Sequence, residues 1–291
     1  IKKILYLSIP VFIGVAINDL NAIVDKTLAS SLVAGSISAL NYANRLNGLI
    51  LGVFITAITT VIFPLLSKEF SEDNIKGVKK IMGYGVNLIL LITIPAAVGL
   101  IVLSTPIVEV AFERGEFDST ATMMTSKALI FYAIGLVAMA LRLLVNRVYF
   151  SLQDTKTPMI NGAISVVFNI VLNLILVQFM GHAGLAFATS IATTIATLLM
   201  FYGLKKKIGS LGTMSYIKCG IKSGFASAVM GIAAYFIYHE LYSILGVAKL
   251  YNLISLLVAA GSGVVIYGIL CYILGIEEVK EIIGRLKVRL S

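Results

Sequence analysis

Apolar residues run through this chain in blocks of about 20 or more, the length a helix needs to cross a hydrocarbon core of roughly 30 Å. Eight such blocks predict membrane helices over 8–33, 38–66, 83–103, 121–148, 158–180, 183–204, 219–238 and 250–274. The breaks carry turn chemistry or charge: Ala34-Gly35-Ser36, Ser67 to Lys80, Ser104 to Ser119, Asp154 to Pro158, Gly181 to Gly184, Lys205 to Lys218 and His239 to Lys249. The predicted fold class is an all-α polytopic membrane protein with eight transmembrane helices. Residues 223–238 and 250–274 hold no charged side chain, so the last two spans read as a lipid-facing pair appended to a six-helix unit. The tail from Glu277 to Ser291 places Val279, Ile282, Ile283, Leu286 and Leu290 at helical spacing, with acids early and bases late. It predicts a short amphipathic helix on the membrane surface.

Polar residues inside the blocks recur at three- and four-residue spacing, which gathers each set on one helix face. The first block carries Gly14, Asn18, Asn21 and Asp25. The second carries Asn41, Arg45, Gly48, Gly52, Thr56 and Thr59. The fifth carries Asn161, Ser165, Asn169 and Asn173, and the sixth Thr189, Thr193 and Thr197. Small and hydroxyl residues at this spacing fit plain helix packing, with Gly48 and Gly52 forming a GxxxG pair. Buried charges and repeated asparagines fit packing less well, because each needs an internal partner or a polar path.

Depth groups some of them. Asp25 and Arg45 lie equally far from the turn at residue 35, about 10 residues or ~15 Å at 1.5 Å per residue. Asn173 and Thr189 lie about 8 residues or ~12 Å from the turn at residue 181. All four fall in one layer. Two roles compete for Asp25: neutralising Arg45, or joining amide and hydroxyl oxygens around a small hard cation such as Na⁺. In the second case Arg45 is left to grip an anion, and a guanidinium holds phosphate bidentately. Asn18, Asn41 and Arg142 join Arg45 as candidate substrate-binding residues, although Arg142, near the end of the fourth block, also fits a snorkelling arginine. Asp19 and Lys26 are weaker cavity candidates, and His182 and His239 read as ordinary loop residues.

Composition sharpens the class. Of 291 residues 59% are hydrophobic and 13% charged, against about 25% charged in soluble domains. Mean hydropathy is +0.99. Most of the 23 Lys and Arg fall in alternate loops, whereas the loop at 104–118 is acidic. The positive-inside rule then puts both termini in the cytoplasm, as an even number of spans requires. The +9 net charge is thus topological and argues against a nucleic-acid partner. Cys219 and Cys271 sit in apolar runs and read as packing residues. Metalloprotease, P-loop and serine-hydrolase motifs are absent from the sequence, and so are DDxxD and interfacial His/Asp sets that a membrane-embedded enzyme of lipid intermediates would need.

The run Val148-Tyr149-Phe150-Ser151-Leu152-Gln153-Asp154-Thr155-Lys156-Thr157-Pro158 resembles the FYxxQDTKTP signature of the lipid II flippase (MurJ, MviN) family in the MOP exporter superfamily. Asn41-Tyr42-Ala43-Asn44-Arg45-Leu46, Phe63-Pro64-Leu65-Leu66-Ser67 and Phe112-Glu113-Arg114-Gly115-Glu116-Phe117 are similar to further family patterns. The resemblance covers essentially the whole chain and aligns it with helices seven to fourteen of a fourteen-helix protein. It implies a second six-helix MOP-type lobe over 1–207, an additional helix pair forming a lipid-tail groove over 208–275, and a basic tail over 276–291. A preceding six-helix lobe is then expected before Ile1.

The implied function is transport by alternating access. Undecaprenyl-pyrophosphate-linked peptidoglycan precursor, lipid II, would pass from the inner to the outer leaflet of the bacterial cytoplasmic membrane. Arg45 matches the cavity arginine of this lobe. A sodium site found in some members maps onto Asp25, Asn169, Asn173, the carbonyl of Leu185, and Thr189. Asn173 stands where that site has an aspartate, and Asn44 replaces a common aspartate before the arginine. No cofactor is required beyond such an ion, and membrane lipids are the other expected partners. Rival readings are a cation-coupled drug or oligosaccharide exporter of the same superfamily, and a non-transporting scaffold lobe.

Overall fold

The computed structural model describes the backbone of residues 2–246, 248–281 and 284, and their side chains except at residues 2–7 and 18. The helices are α1 (Lys2–Ser30), α2 (Ser36–Ile50), a π-helical turn (Leu51–Ile55), α3 (Thr56–Ser71), α4 (Ile75–Val102), α5 (Ser104–Phe112), α6 (Ser119–Ser151), α7 (Lys156–Met180), α8 (His182–Ile208), α9 (Thr213–Leu245) and α10 (Lys249–Ile273). Among the described residues 8 helical segments are long and apolar enough to cross a membrane, with α2, the π turn and α3 counting as one.

Charged breaks turn out shorter than predicted. The second span runs on to Ser71, α8 to Ile208 and α9 to Leu245, because a helix continues past the hydrocarbon edge wherever its residues favour helix and water receives its charges. The acidic segment expected as a loop contains α5. His182 and His239 lie in helices: His182 Nε2 meets the Met124 carbonyl at 2.9 Å, and the His239 ring stands edge-on to Tyr235 at 4.3 Å. Of the amphipathic tail, 277–281 is helical; the rest of that expectation falls almost wholly outside the described residues.

Helix α6 is the hub, packing against α2, α3, α4 and α8. Its contact with α8 is close at Gly135, where a Cβ would lie 2.8 Å from the Ser190 Cα; a small residue there lets the backbones approach where hydrophobic burial supplies no drive. Hydroxyls on α8 add bonds across the seam: Ser190 Oγ to the Phe131 carbonyl at 2.6 Å and Thr197 Oγ1 to the Ala138 carbonyl at 3.0 Å. Helix α7 flanks α8, α1 flanks α7, and on the other side α9 packs on α4 and α10 on α9. The last two helices thus attach chiefly through α4 at the edge.

The tightest joint is the α7–α8 hairpin. A Cβ on Gly184 would lie 2.5 Å from the Leu176 carbonyl oxygen, which is backbone and cannot turn aside. Gly184→Ala is expected to cost at least about 1 kcal/mol, read as a lower thermal midpoint of the purified protein. An unchanged midpoint would show that the hairpin opens freely.

The QDTKTP run builds the α6–α7 turn. Gln153 takes a left-handed φ of 57°. Asp154 accepts from Thr157 N at 3.0 Å and Thr157 Oγ1 at 2.7 Å, capping α7, and pairs with Lys207 Nζ at 2.8 Å. Burial pushes the Asp154 carboxyl up, but the Lys207 and Thr157 contacts outweigh it and hold it below the ordinary aspartate range. Its contribution is therefore fully present above that range and is lost as pH falls through the depressed value. Asp154→Ala is expected to cost about 1 kcal/mol, a cap's usual worth. Asp154→Asn should cost less, since the exposed ion pair adds little. Equal losses from the two in thermal melts would contradict this assignment.

Candidate functional site

Three helices bring one polar cluster together. Helix α7 turns its stripe inward, with Asn161, Ser165, Asn169 and Asn173 all buried. Asn173 Nδ2 donates to Asp25 Oδ1 on α1 at 2.6 Å and to Asn169 Oδ1 at 2.9 Å. Asn169 Nδ2 donates to Thr189 Oγ1 on α8 at 3.1 Å, and Thr189 Oγ1 donates to the Leu185 carbonyl at 3.0 Å. Asn21 Nδ2 reaches Asp25 Oδ2 at 3.3 Å. Asp25, Asn169, Asn173, Leu185 and Thr189, the expected cation set, are thus contiguous.

The cluster has more acceptors than its donors satisfy. Asn169 Oδ1 is 3.0 Å from Asp25 Oδ1 and 2.9 Å from Asn21 Oδ1, oxygen facing oxygen. Rotating that amide would let its nitrogen donate to both, yet the nitrogen would then face Asn173 Nδ2 at 2.9 Å. The first orientation leaves oxygen facing oxygen twice; the rotated one leaves a single contact of nitrogen with nitrogen and lets its oxygen accept from Thr189 N and Oγ1, both at 3.1 Å. Asn173 Oδ1 is buried without a partner among the described residues. Buried polar atoms rarely stay so without a missing partner to account for them. Asn173 presents its nitrogen to Asp25, so ligating a cation would require turning its amide.

Arg45 stands apart. Among the described residues no ion pair joins it to Asp25, so the simple neutralising pair is not formed: the Asp25 carboxylate is taken by the two asparagines. Arg45 is exposed, its guanidinium 5.8 Å from the centre of the Tyr42 ring. Tyr42 is wedged against Phe112 at 4.6 Å and Phe117 at 5.2 Å. Asn41, one turn away, is exposed too. A Cβ added at Gly14, Gly48 or Gly52 would meet nothing within 4 Å, so these glycines do not serve helix contacts within the chain. Together with Arg45 and Thr56 they leave an open face along α1 and α2.

The α2 stripe does not extend to Thr59, which is buried. The π turn supplies the reason: one extra residue per turn rotates everything after it, and Thr56 Oγ1 bonds the Leu51 carbonyl at 3.1 Å. Arg142 does not snorkel. Its Nη1 crosses to Ser165 Oγ on α7 at 3.4 Å, because the gap over Gly162 leaves room for it. It joins the α7 stripe below the cluster. Asp19 and Lys26 are exposed. The Asn18 side chain lies outside the described residues. Asn21, Ser165 and the Tyr42 cluster are the partners that sequence reasoning did not assign; Asn21 had a readable signal in its four-residue spacing from Asp25.

The eight-span bundle shares its fold with MOP superfamily transporters. One from Pyrococcus furiosus superposes at TM-score 0.63 with 17% identity over 96% of this chain and 66% of its own; at that identity the likeness is one of fold. The chain belongs to the lipid II flippase MurJ family, whose model matches residues 1–258. A solved lipid II flippase MurJ in an inward closed conformation superposes at TM-score 0.74 with 30% identity, covering 91% of this chain and 54% of that one. A probable lipid II flippase MurJ of Vibrio cholerae is 40% identical over 204 residues, 70% of this chain and 39% of its own length. The Haemophilus influenzae relative is 32% identical over 287 residues, 96% of this chain and 56% of its own. The chain thus spans about half the length of such relatives, and it is an integral membrane protein.

Proposed function

We propose that this chain is one lobe of a transporter that carries undecaprenyl-pyrophosphate-linked peptidoglycan precursor from the inner to the outer leaflet of the bacterial cytoplasmic membrane. Family membership supports the substrate class, and the open α1–α2 face carries the lobe reading. Arg45, Asn41 and unfilled glycines line that face, and a second six-helix lobe is the wall it calls for. Arg45 meets the pyrophosphate there, and Arg142 and Asn18 join it as further candidate substrate contacts. The alternating loop charge sets both termini in the cytoplasm.

Asp25, Asn169, Asn173, Leu185 and Thr189 hold a Na⁺ ion in this reading. Its support is that the Asp25 carboxylate, the Asn169 and Asn173 amides, the Thr189 hydroxyl and the Leu185 carbonyl meet at one place, since a hard cation takes oxygen ligands. The ion would neutralise the Asp25 carboxylate and tie α1 to α7 and α8. Its binding and release therefore bias how α1 sits, which is what coupling to alternating access needs.

The test is rescue. The chain, expressed in its full gene context, should restore growth to a bacterium depleted of its own lipid II flippase and expose the precursor on the outer leaflet. Export of a cationic dye dependent on Asp25, without precursor exposure, would favour a drug exporter instead.

A further inference from the structure

On the face opposite the acidic segment, the first turns of α9 meet α4 and the residues after α10. They enclose a cavity of about 330 Å³, lined among others by Asn87, Ser215, Lys218, Lys222, Glu277 and Glu278. It is remote in the fold from the α1–α7–α8 cluster, since α9 attaches through α4. Asn87, 6% exposed, donates to Glu278 Oε1 at 2.5 Å and to Ser215 Oγ at 3.4 Å. Its own Oδ1 is buried and has no partner among the described residues.

The cavity wall holds two ammonium groups and two carboxylates, and among the described residues neither lysine is in an ion pair with either glutamate. A plain anion would gain from Lys218 and Lys222 but face both carboxylates. A plain cation would meet the reverse. A ligand carrying both charges satisfies the set: its phosphate takes the lysines and the Ser215 hydroxyl, its ammonium takes Glu277, Glu278 and the orphaned Asn87 oxygen. Ile217, Ile221 and Phe225 continue from this end of α9 at four-residue spacing, 54%, 68% and 60% exposed. They form an apolar rail of the kind an acyl chain lies along.

We propose that this cavity binds the headgroup of a membrane glycerophospholipid that combines phosphate and ammonium, as phosphatidylethanolamine does, whatever cargo the protein moves. Basic pockets between transmembrane helices on the cytoplasmic side bind anionic lipid headgroups; the two glutamates in this wall are what favour a headgroup that also carries an ammonium.

Native mass spectrometry of the purified full-length protein, titrated with phosphatidylethanolamine or phosphatidylglycerol, tests it without any transport substrate. Phosphatidylethanolamine should be retained in preference. Lys218→Ala/Lys222→Ala should lower that retention by about tenfold or more, while Lys68→Ala/Lys205→Ala, exposed lysines outside the cavity, should leave it unchanged. Should the first pair fail to fold, Glu277→Gln on an exposed side chain should narrow the preference between the two lipids. Equal retention of both lipids by the unaltered protein, or equal losses from both lysine pairs, would overturn the proposal. So would soluble phosphoethanolamine binding as well as the lipid, which would make the site one for a free metabolite. Failure here leaves the flippase reading intact, because growth rescue is a separate readout.

Discussion

Arg45→Ala, in the full gene context, is expected to abolish growth rescue of a flippase-depleted strain while the protein still folds and inserts. The two halves of that expectation rest on different facts. The guanidinium is exposed and its described contact is the Tyr42 ring, an interaction worth about 0.5–1 kcal/mol at exposed sites. Removing it should therefore lower the thermal midpoint only slightly. Truncating one partner of a buried charge pair in a complex costs about 2–5 kcal/mol, which is roughly thirtyfold or more in affinity. A pyrophosphate enclosed between two lobes, as proposed, would provide such a pair. Arg45→Lys should fall between, since it keeps the charge and loses the planar fork. Full rescue by Arg45→Ala would remove Arg45 from the proposed path. A collapse of the midpoint alongside lost rescue would assign it a structural role instead.

The separation of Arg45 from Asp25 is what gives that prediction force. Had the two charges paired, each would explain the other and neither would need a ligand. Asp25 instead spends its oxygens on Asn21 and Asn173, and Arg45 rests against an aromatic wedge anchored by Phe112 and Phe117. One residue is built into an internal cluster and the other is presented outward. Two charges at one depth thus stand in different surroundings, with α1 common to the cluster and to the open face.

Depth could be read from sequence because a helix rises by a fixed step and a hairpin folds it back on itself. That arithmetic placed Asp25, Asn173 and Thr189 in one layer, and the structure joins them through Asn169. It placed Arg45 there as well, where the structure keeps it apart, because depth says nothing about which way a helix faces. Spans were legible from apolar length, but their ends were not, since charged residues such as Lys68 and Lys205 to Lys207 continue a helix into water. The π turn left no trace: Leu51-Gly52-Val53-Phe54-Ile55 reads as any apolar run, so the phase shift that buries Thr59 could not be foreseen. The Arg142 partner was hidden for a related reason. Its position near a helix end left the interface open as its place beside a substrate path, whereas the space beside Gly162 that admits it toward Ser165 exists only once α6 and α7 are placed together.

Asn173→Asp is expected to make the stability of the protein strongly dependent on Na⁺. Asn173 Nδ2 now donates to Asp25 Oδ1 at 2.6 Å; the substitution would set a second carboxylate against the first and remove that donor. Like charges this close and partly buried destabilise each other in the absence of a counter-ion, so the thermal midpoint in sodium-free buffer should drop. A cation held between them reverses the penalty. Stabilisation then grows as the logarithm of the ratio of ion concentration to dissociation constant, reaching about 2.7 kcal/mol at 100 times that constant. The unaltered protein, with one carboxylate, should show the same response more weakly, and Asp25→Asn should show none. Thermal melts in NaCl against KCl at equal ionic strength separate specific binding from screening, which both salts supply alike. If Asp25→Asn keeps a sodium response, or if KCl stabilises Asn173→Asp as well as NaCl does, the polar groups around Asp25 and Asn169 are not a sodium site. Their contacts would then have to be settled by the Asn169 amide alone.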